Sequence, residues 1–363
     1  MIRRVRYLFV EDVPDVLASP VVKRFRRAFP RAKVHIVKDR EAIDAILPPS
    51  DLRAKQAVFL CRNQGAFIRH CPGTKYFVCC GYRVIDAGFQ CPFSCDYCFL
   101  HVYDNTKLTV VYTNTQVIID EAAALDDRFC RIGTGELIDS LAYDDITGLS
   151  EALITMAADH PNMFLEFKTK SANIDHILAR DVPEHSRRIV FAFSLNPQTH
   201  IERHEHGTAS LVERLAAAKR CARAGYSVAF HFDPIIRFPQ WQRSYRAVVN
   251  AIYRSVTPAD IAWISMGGVR FPRAMEECRF ASGKGYEFLF DEFVPCEDGK
   301  RRYLRPLREA LYREMISAIR AHDRKTYLYM CMETPAMWSS VFDRKFSFAD
   351  FEASLRKKGM LHS

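Results

Sequence analysis

Three cysteines stand close together in the run Gln90-Cys91-Pro92-Phe93-Ser94-Cys95-Asp96-Tyr97-Cys98-Phe99-Leu100-His101, at a C-x3-C-x2-C spacing. Three thiolates on one tight loop can each take a different iron of a cubane and leave the fourth iron without a protein ligand, open to chemistry. The same run can be read in two plainer ways. With His101 it becomes C-x3-C-x2-C-x2-H, the ligand count of a closed zinc site. It could also hold three unrelated buried thiols.

Other side chains of chemical interest fall where strands are expected to end. Gly133-Thr134-Gly135-Glu136 follows the run RFCRIGT, Lys170 ends MFLEFKT, and Ser194 and Asn196 close RIVFAFSLN. His231 and Asp233 lie in YSVAFHFDP, with Trp241, Tyr245 and Arg270 beyond. Two further cysteines sit on strand-like runs, Cys130 in RFCRIGT and Cys331 at the end of KTYLYMCM. Each has an ordinary structural role open to it: a turn for the glycines, a solvated lysine, a satisfied strand-end pair, a buried thiol. His204-Glu205-His206 invites a metal reading, but histidines two apart diverge on a helix.

The elements that must position these groups alternate. From about Cys79 the β-type runs YRVIDAGF, KLTVVY, RFCRIGT, MFLEFKT, RIVFAFSLN, YSVAFHFDP, DIAWISMGG and KTYLYMCM recur. Helical spacing lies between them at 117–125, 149–157, 172–178, 210–224, 243–255 and 307–321. Such alternation argues an α/β fold, a mostly parallel sheet closed into a partial (β/α) barrel, with functional groups at the strand ends. Ahead of it a small N-terminal α/β segment is expected from strand RYLFVE, a helix over 21–29, strand KVHIV and a helix over 41–46. The stretch 48–55 reads as a connection, and 279–305, without periodicity, as a long loop or small hairpin near the mouth. The resulting division is 1–75, a barrel over 76–340, and a C-terminal tail over 341–363.

In 363 residues, 48% of them apolar, there is enough material for one large core. Twelve cysteines in such a chain point to thiol or metal chemistry rather than to a disulfide framework. No stretch reaches the roughly 18 apolar residues of a membrane span, and the N-terminus lacks the apolar run of a signal peptide, so a cytoplasmic protein without membrane contact is expected. The formal charge of +9, with Arg24, Arg26 and Arg27 and later Arg301, Arg302, Arg305 and Arg308, favours a polyanionic partner.

The cysteine run resembles the radical S-adenosylmethionine (SAM) signature, and the chain is similar to the spore photoproduct lyase-like family of that superfamily. The resemblance rests also on Cys71-Pro-Gly-Thr-Lys75, Cys79-Cys80-Gly81-Tyr82, Arg131-Ile-Gly-Thr-Gly-Glu136, Phe167-Lys-Thr-Lys170, Phe193-Ser-Leu-Asn196, Gly207-Thr208 and Ala224-Gly-Tyr226, which fall in the family's order over about residues 6–327. It implies a 4Fe-4S cluster on Cys91, Cys95 and Cys98, with SAM on its open iron. Gly133, Thr134, Gly135 and Glu136 would meet the SAM amino group, Lys170 its carboxylate, and Ser194 and Asn196 its ribose. It further implies a lyase that reverses a methylene-bridged thymine dimer in DNA, with Arg301, Arg302 and Arg305 on phosphates, and an electron donor such as flavodoxin or ferredoxin. Tyr97 matches a family tyrosine linked to radical relay, but its partner two residues on is Phe99 here, which has no hydroxyl to pass a hydrogen atom. The family's hydrogen-donor cysteine is absent from 132–140, which leaves Cys130 and Cys331 as candidate donors. Two other readings stand beside this one: a radical SAM enzyme acting on a different nucleobase, nucleotide or peptide, and a zinc-stabilised nucleic-acid-binding module.

Overall fold

A computed structural model describes residues 4–48, 55–73, 76–103, 108–125, 129–281, 287–343 and 347–360. The apolar run of β1 (Tyr7–Glu11) sits between β2 (Lys33–Val37) and β3 (Ala57–Cys61), parallel to both. Buried on both faces, it reads as a continuous apolar stretch rather than an alternating one. The helix Pro20–Ala28 starts with a proline after Ser19, whose hydroxyl accepts from the Val21 amide at 3.2 Å, and it buries Val21, Val22 and Phe25. Most of the expected connection at 48–55 lies outside the described residues.

The large sheet begins with β4 (Ile68–His70) antiparallel to β5 (Arg83–Ile85). Here two expected barrel strands behave differently from the sequence reading. The run over 82–89 splits: β5 joins the large sheet, while β6 (Gly88–Phe89) pairs with β8 (Thr109–Tyr112), and β8 pairs with β3 in the N-terminal sheet. The chain crosses between sheets at Asp86–Ala87, and Gly88 permits the crossing, since a Cβ there would lie 2.4 Å from the Val110 carbonyl oxygen. Alternation alone cannot say which sheet a strand joins.

The remaining runs form the curled half-barrel as expected: β9 (Cys130–Thr134), β10 (Met163–Thr169), β11 (Ile189–Ser194), β13 (Ser227–Ile235), β14 (Ile261–Gly268) and β18 (Tyr327–Met330), parallel neighbours in that order. Crossover helices at Leu149–Met156, Leu211–Arg223, Trp241–Ser255 and Arg305–Arg320 match the periodicity. Leu211–Arg223 opens with a full capping box of Ser210 and Glu213. The helix expected over 172–178 shortens to Asp175–Leu178. β5 borders β9 and carries β4 as one edge, and β18 forms the other; an antiparallel bridge joins Val78, on the segment between β4 and β5, to Glu333, just after β18.

At the mouth, β7 (Ser94–Cys95) pairs antiparallel with β12 (Glu205–His206). The aperiodic stretch 279–305 carries β16 (Phe293–Pro295) and β17 (Lys300–Tyr303), antiparallel to each other, and β17 also pairs antiparallel with β15 (Arg270–Pro272) ahead of the stretch; a helix at Arg273–Ala281 runs into its start, and residues 282–286 lie outside the described set. The expected tail is instead a packed helix, Phe348–Lys357, whose Phe351 and Leu355 are buried. Phe351 stands against Phe129, Trp263, Tyr327 and Tyr329 and closes the floor of the half-barrel.

Candidate active site

The cysteine loop is pinned at the carboxyl ends of the strands. Gln90 adopts a left-handed conformation at φ 61° and its amide donates to the Leu100 carbonyl at 3.1 Å, tying the two ends of the loop together. Cys95 lies opposite Glu205 in the β7–β12 pair. The Asp96 amide donates to the His204 carbonyl at 2.8 Å, the Asp96 carboxylate pairs with His204 Nδ1 at 3.0 Å, and the Cys98 amide donates to the Cys95 carbonyl. His204 and Glu205 are therefore clamps for this loop. Burial, then Asp139, pushes the Cys91 thiol up to about 12. Burial also raises Cys95, against the pull of Lys170. Thiols this desolvated stay protonated until a cation takes them as thiolates, which suits ligands better than nucleophiles. Among the described residues no three His, Cys, Asp or Glu side chains converge on one ion, so the four-ligand zinc arrangement with His101 is not formed. A cubane needs no such convergence, because each thiolate takes its own iron.

Behind the loop lies a buried polar network that the sequence did not disclose. The Glu205 carboxylate meets Arg214 at 2.6 Å, and both side chains are fully buried. Tyr97 donates its hydroxyl to Glu205, Asn196 donates its amide to Glu205 at 2.8 Å, and Tyr245 donates its hydroxyl to Asn196 Oδ1 at 2.7 Å. Burial alone would raise the Glu205 carboxyl; Arg214 and Lys170 instead hold it down to about 2. Lys170 in turn sits above its ordinary pKa in spite of burial, because Glu205 and Cys95 favour its charge, and its ammonium lies 5.7 Å from the Tyr97 ring centre. Arg214 also donates to the Ser194 carbonyl at 2.8 Å. Lys170, Ser194, Asn196 and Tyr97 thus meet beside Cys95, but the Asn196 amide is engaged at both ends inside the protein.

The end of β9 is shaped by its neighbour. A Cβ on Gly133 would stand 1.8 Å from the Glu166 carbonyl oxygen, and one on Gly135, at φ +98°, 2.5 Å from that of Lys168. Close strand packing alone already requires glycine at both positions. Thr134 donates its hydroxyl to Ser140 at 2.7 Å, and Glu136 lies 3.5 Å from the Arg69 guanidinium. No spacing in the sequence marks Asp139. Its half-buried carboxylate accepts from the Thr169 hydroxyl at 2.8 Å, the Lys170 amide at 2.7 Å and the Leu141 amide at 3.0 Å, joining the β9 and β10 ends beside Cys91.

The candidate donors part company. Cys130 starts β9, opposite Met163 at the start of β10, and is buried at the floor. Four residues of strand, at about 3.3 Å each, separate it from Thr134 at the mouth, so it cannot serve a substrate there. Cys331 follows β18 at the mouth, where Arg270 Nη2 reaches its sulfur at 3.8 Å while pairing with Asp233 at 3.1 Å. His231, expected as a base contact, is buried between Glu166 at 2.7 Å and Ser265 at 2.5 Å. Tyr245 is buried as well, and Trp241 nearly so. The expected phosphate grip is also occupied: Arg301 pairs with Glu276 at 2.7 Å, Arg302 with Asp298 at 2.6 Å, and Arg305 with Glu309 at 2.9 Å. Arg26 and Arg27 are exposed. Among the described residues no helix is long and apolar enough to cross a membrane.

The family model described as spore photoproduct lyase matches residues 80–270, more than half of the chain. The chain belongs to the spore photoproduct lyase family. It is 30% identical over 180 residues to the spore photoproduct lyase of Bacillus subtilis, covering 47% of this chain and 50% of that one. To the Geobacillus sp. enzyme it is 28% identical over 180 residues, covering 47% and 51%. The chain spans about half the length of the curated relatives it matches. Its fold follows a solved spore photoproduct lyase complexed with dinucleoside spore photoproduct, at a TM-score of 0.76 and 21% identity over 90% of this chain and 99% of that one. A mutant of that lyase with bound AdoMet and dinucleoside spore photoproduct superposes equally well, at 0.76 and 21%. The family segment runs from Cys80 through the cysteine loop to Arg270 and so includes every side chain of the buried network.

Proposed function

We propose that this family member is a radical SAM lyase that carries a 4Fe-4S cluster on Cys91, Cys95 and Cys98 and reverses a methylene-bridged thymine dimer in DNA. The observation that carries the reading is the cysteine loop clamped at the mouth of a half-barrel, beside Lys170 and the end of β9, within the segment that defines the family. The donor set fits the group: three half-buried or buried thiols on one loop, with a lysine beside Cys95. SAM on the open iron would supply a 5'-deoxyadenosyl radical that takes a hydrogen atom from the substrate.

The chain's own residues do the rest. Glu136 offers a carboxylate to an amino group, Lys170 an ammonium to a carboxylate, and Ser194 a hydroxyl to a ribose. Glu205 and Arg214 hold Tyr97 and Asn196 in place and keep water from the loop's inner side. Cys331, at the mouth, offers its thiol hydrogen to the substrate radical, a role that Cys130 is too deep to fill. Duplex DNA must release the dimer from the stack, at about a few kcal/mol. Its phosphates would meet exposed cations such as Arg26 and Arg27, because Arg301, Arg302 and Arg305 are already paired. A flavodoxin or ferredoxin would supply the electron.

A second reading, a different nucleobase, nucleotide or peptide substrate, has a specific observation in its favour: 132–140 holds no cysteine, and the Tyr97 hydroxyl is committed to Glu205. The deciding experiment is anaerobic reconstitution and incubation with SAM, dithionite and dimer-containing DNA, with 5'-deoxyadenosine and restored thymine both quantified. Thymine that vanishes in Cys95→Ala supports the repair reading. Deoxyadenosine without thymine transfers the activity to another substrate, and neither product overturns the radical reading.

A further inference from the structure

The Cys331 thiol stands on a backbone that is pinned on both sides. Its amide donates to the Met266 carbonyl at 2.8 Å, one residue past the ladder in which Met330 faces Met266. Met332 then turns the chain at φ 53°. Beyond the turn the Glu333 carbonyl accepts from the Val78 amide at 2.8 Å, and its carboxylate takes the Tyr312 hydroxyl at 2.8 Å and Arg308 at 2.9 Å. The sulfur is held as well, because Arg270 Nη2 donates to it at 3.8 Å. A guanidinium has no acceptor, so at this contact sulfur accepts and its own hydrogen points elsewhere.

Arg270 is itself fixed from several directions. Its guanidinium forms a forked pair with Asp233, Nη1 to Oδ1 at 2.8 Å and Nη2 to Oδ2 at 3.1 Å, and Nη1 also reaches the Gly268 carbonyl at 3.5 Å. The pair rests on the backbone of β14: a Cβ on Gly267 would stand 2.6 Å from Asp233 Oδ1 and 2.8 Å from Arg270 Nη1. Just ahead of Arg270 the Val269 amide donates to the Ile235 carbonyl at 3.1 Å, which ties the start of β15 to the end of β13. Each Nη atom carries two hydrogens, and Asp233, Gly268 and Cys331 take them all. Those donors are spent inside the protein, which suits a brace better than a grip on phosphate.

We propose that Arg270, braced by Asp233 on the glycine seat of β14, is the positioning residue that fixes the Cys331 sulfur and leaves its S–H aimed at the substrate radical. The inference rests on the proposed function, in which one hydrogen atom passes from sulfur to carbon. The S–H bond breaks and a C–H bond forms; the thiyl radical left on Cys331 takes a hydrogen atom back from the 5'-deoxyadenosine made earlier in the same cycle. The surrounding charges act in the same sense. Burial, then Asp233, pushes the Cys331 thiol up against the pull of Arg270, and Cys80 and Cys71 add to the rise. Tyr329 and Lys300 are the other titratable groups that face it. A thiol that stays protonated keeps the hydrogen it has to give.

The first test reads the thiol itself, as the rate at which iodoacetamide alkylates Cys331 in the anaerobic full-length protein at about pH 8, followed by peptide mass spectrometry. Asp233→Asn removes a negative charge and leaves the guanidinium alone on the sulfur, so Cys331 should react about tenfold faster than in the parent. Arg270→Gln should react no faster than the parent. Equal acceleration in both variants, the mark of simple loosening, or no change in either, overturns the proposal. The second test is a double-mutant cycle on thymine recovered per deoxyadenosine formed from dimer DNA. Arg270→Gln should lower that ratio about fivefold or more in the parent and by less than about twofold once Cys331→Ala is present. A further large fall in the Cys331→Ala background makes Arg270 a substrate contact or a strut and overturns the proposal. A parent that yields no thymine, with the two variants still parting in alkylation, leaves the hold on the sulfur standing and the repair reading failed. Thymine release indifferent to Arg270→Gln has the opposite meaning.

Discussion

The floor and the mouth of the half-barrel are built from the same strands, yet they solve the problem of a buried charge in opposite ways. At the floor Arg131 is held by Glu166 at 2.9 Å and the Tyr329 hydroxyl at 2.6 Å, and is ringed by Tyr82, Trp263, Tyr329 and Phe351 at 4.5–5.6 Å. The Phe348–Lys357 helix seals it from below. At the mouth Arg214 is held by Glu205, but that carboxylate also takes Tyr97 and Asn196, so the charge pair is wired to the cysteine loop. One buried arginine is walled in by aromatic rings; the other is tied through Glu205 to the cysteine loop.

Removing Glu205 should have the largest effect, because it would strand Arg214 and release Tyr97 together. Glu205→Ala is expected to cost about 3–5 kcal/mol in urea unfolding and to reduce iron incorporation on reconstitution. A variant that loses stability but keeps full iron would show that the network does not hold the loop. At the floor, Phe351→Ala should cost about 3 kcal/mol through cavity formation, with deoxyadenosine yield per folded molecule unchanged. A lost yield at full folding would erase the distinction between the two ends.

The pH dependence sharpens it further. Glu205 is depressed from 4.5 to about 2, so its contribution is fully present above about pH 4.5 and is lost as pH falls through about 2. Glu205→Gln should therefore flatten the acid limb of stability between pH 4.5 and 2, measured by urea midpoints at each pH. His200, stacked at 6.2 Å on Tyr97, is lowered to about 4 by burial and then by His204. Its contribution is present above pH 6.5 and drains away as pH falls through 4, so His200→Phe should blunt that earlier decline.

The smallest effects on stability, about 1 kcal/mol each, belong to the two candidate donors, and their contrast lies in chemistry. Cys130→Ala should leave product formation unchanged. Cys331→Ala should keep deoxyadenosine formation and lower thymine recovery by at least tenfold. Equal behaviour of the two would remove Cys331 from the reaction.

The sequence by itself determined the alternation of strands and crossover helices, and it marked Cys91, Cys95 and Cys98, because local spacing carries both signals. It placed Lys170 and Ser194 at strand ends for the same reason. Only the tertiary structure decided that β8 leaves the barrel for the N-terminal sheet, since β-type runs carry no label of their partners. Only it paired Glu205 with Arg214, set Asp139 beside Cys91 and sent Cys130 to the floor while leaving Cys331 at the mouth. It also paired Arg301 with Glu276 and Arg302 with Asp298, and Arg305 with Glu309 on the exposed face of its helix. Those outcomes depend on which way a side chain faces and on what a distant segment brings to meet it, and neither is written in the spacing of nearby residues.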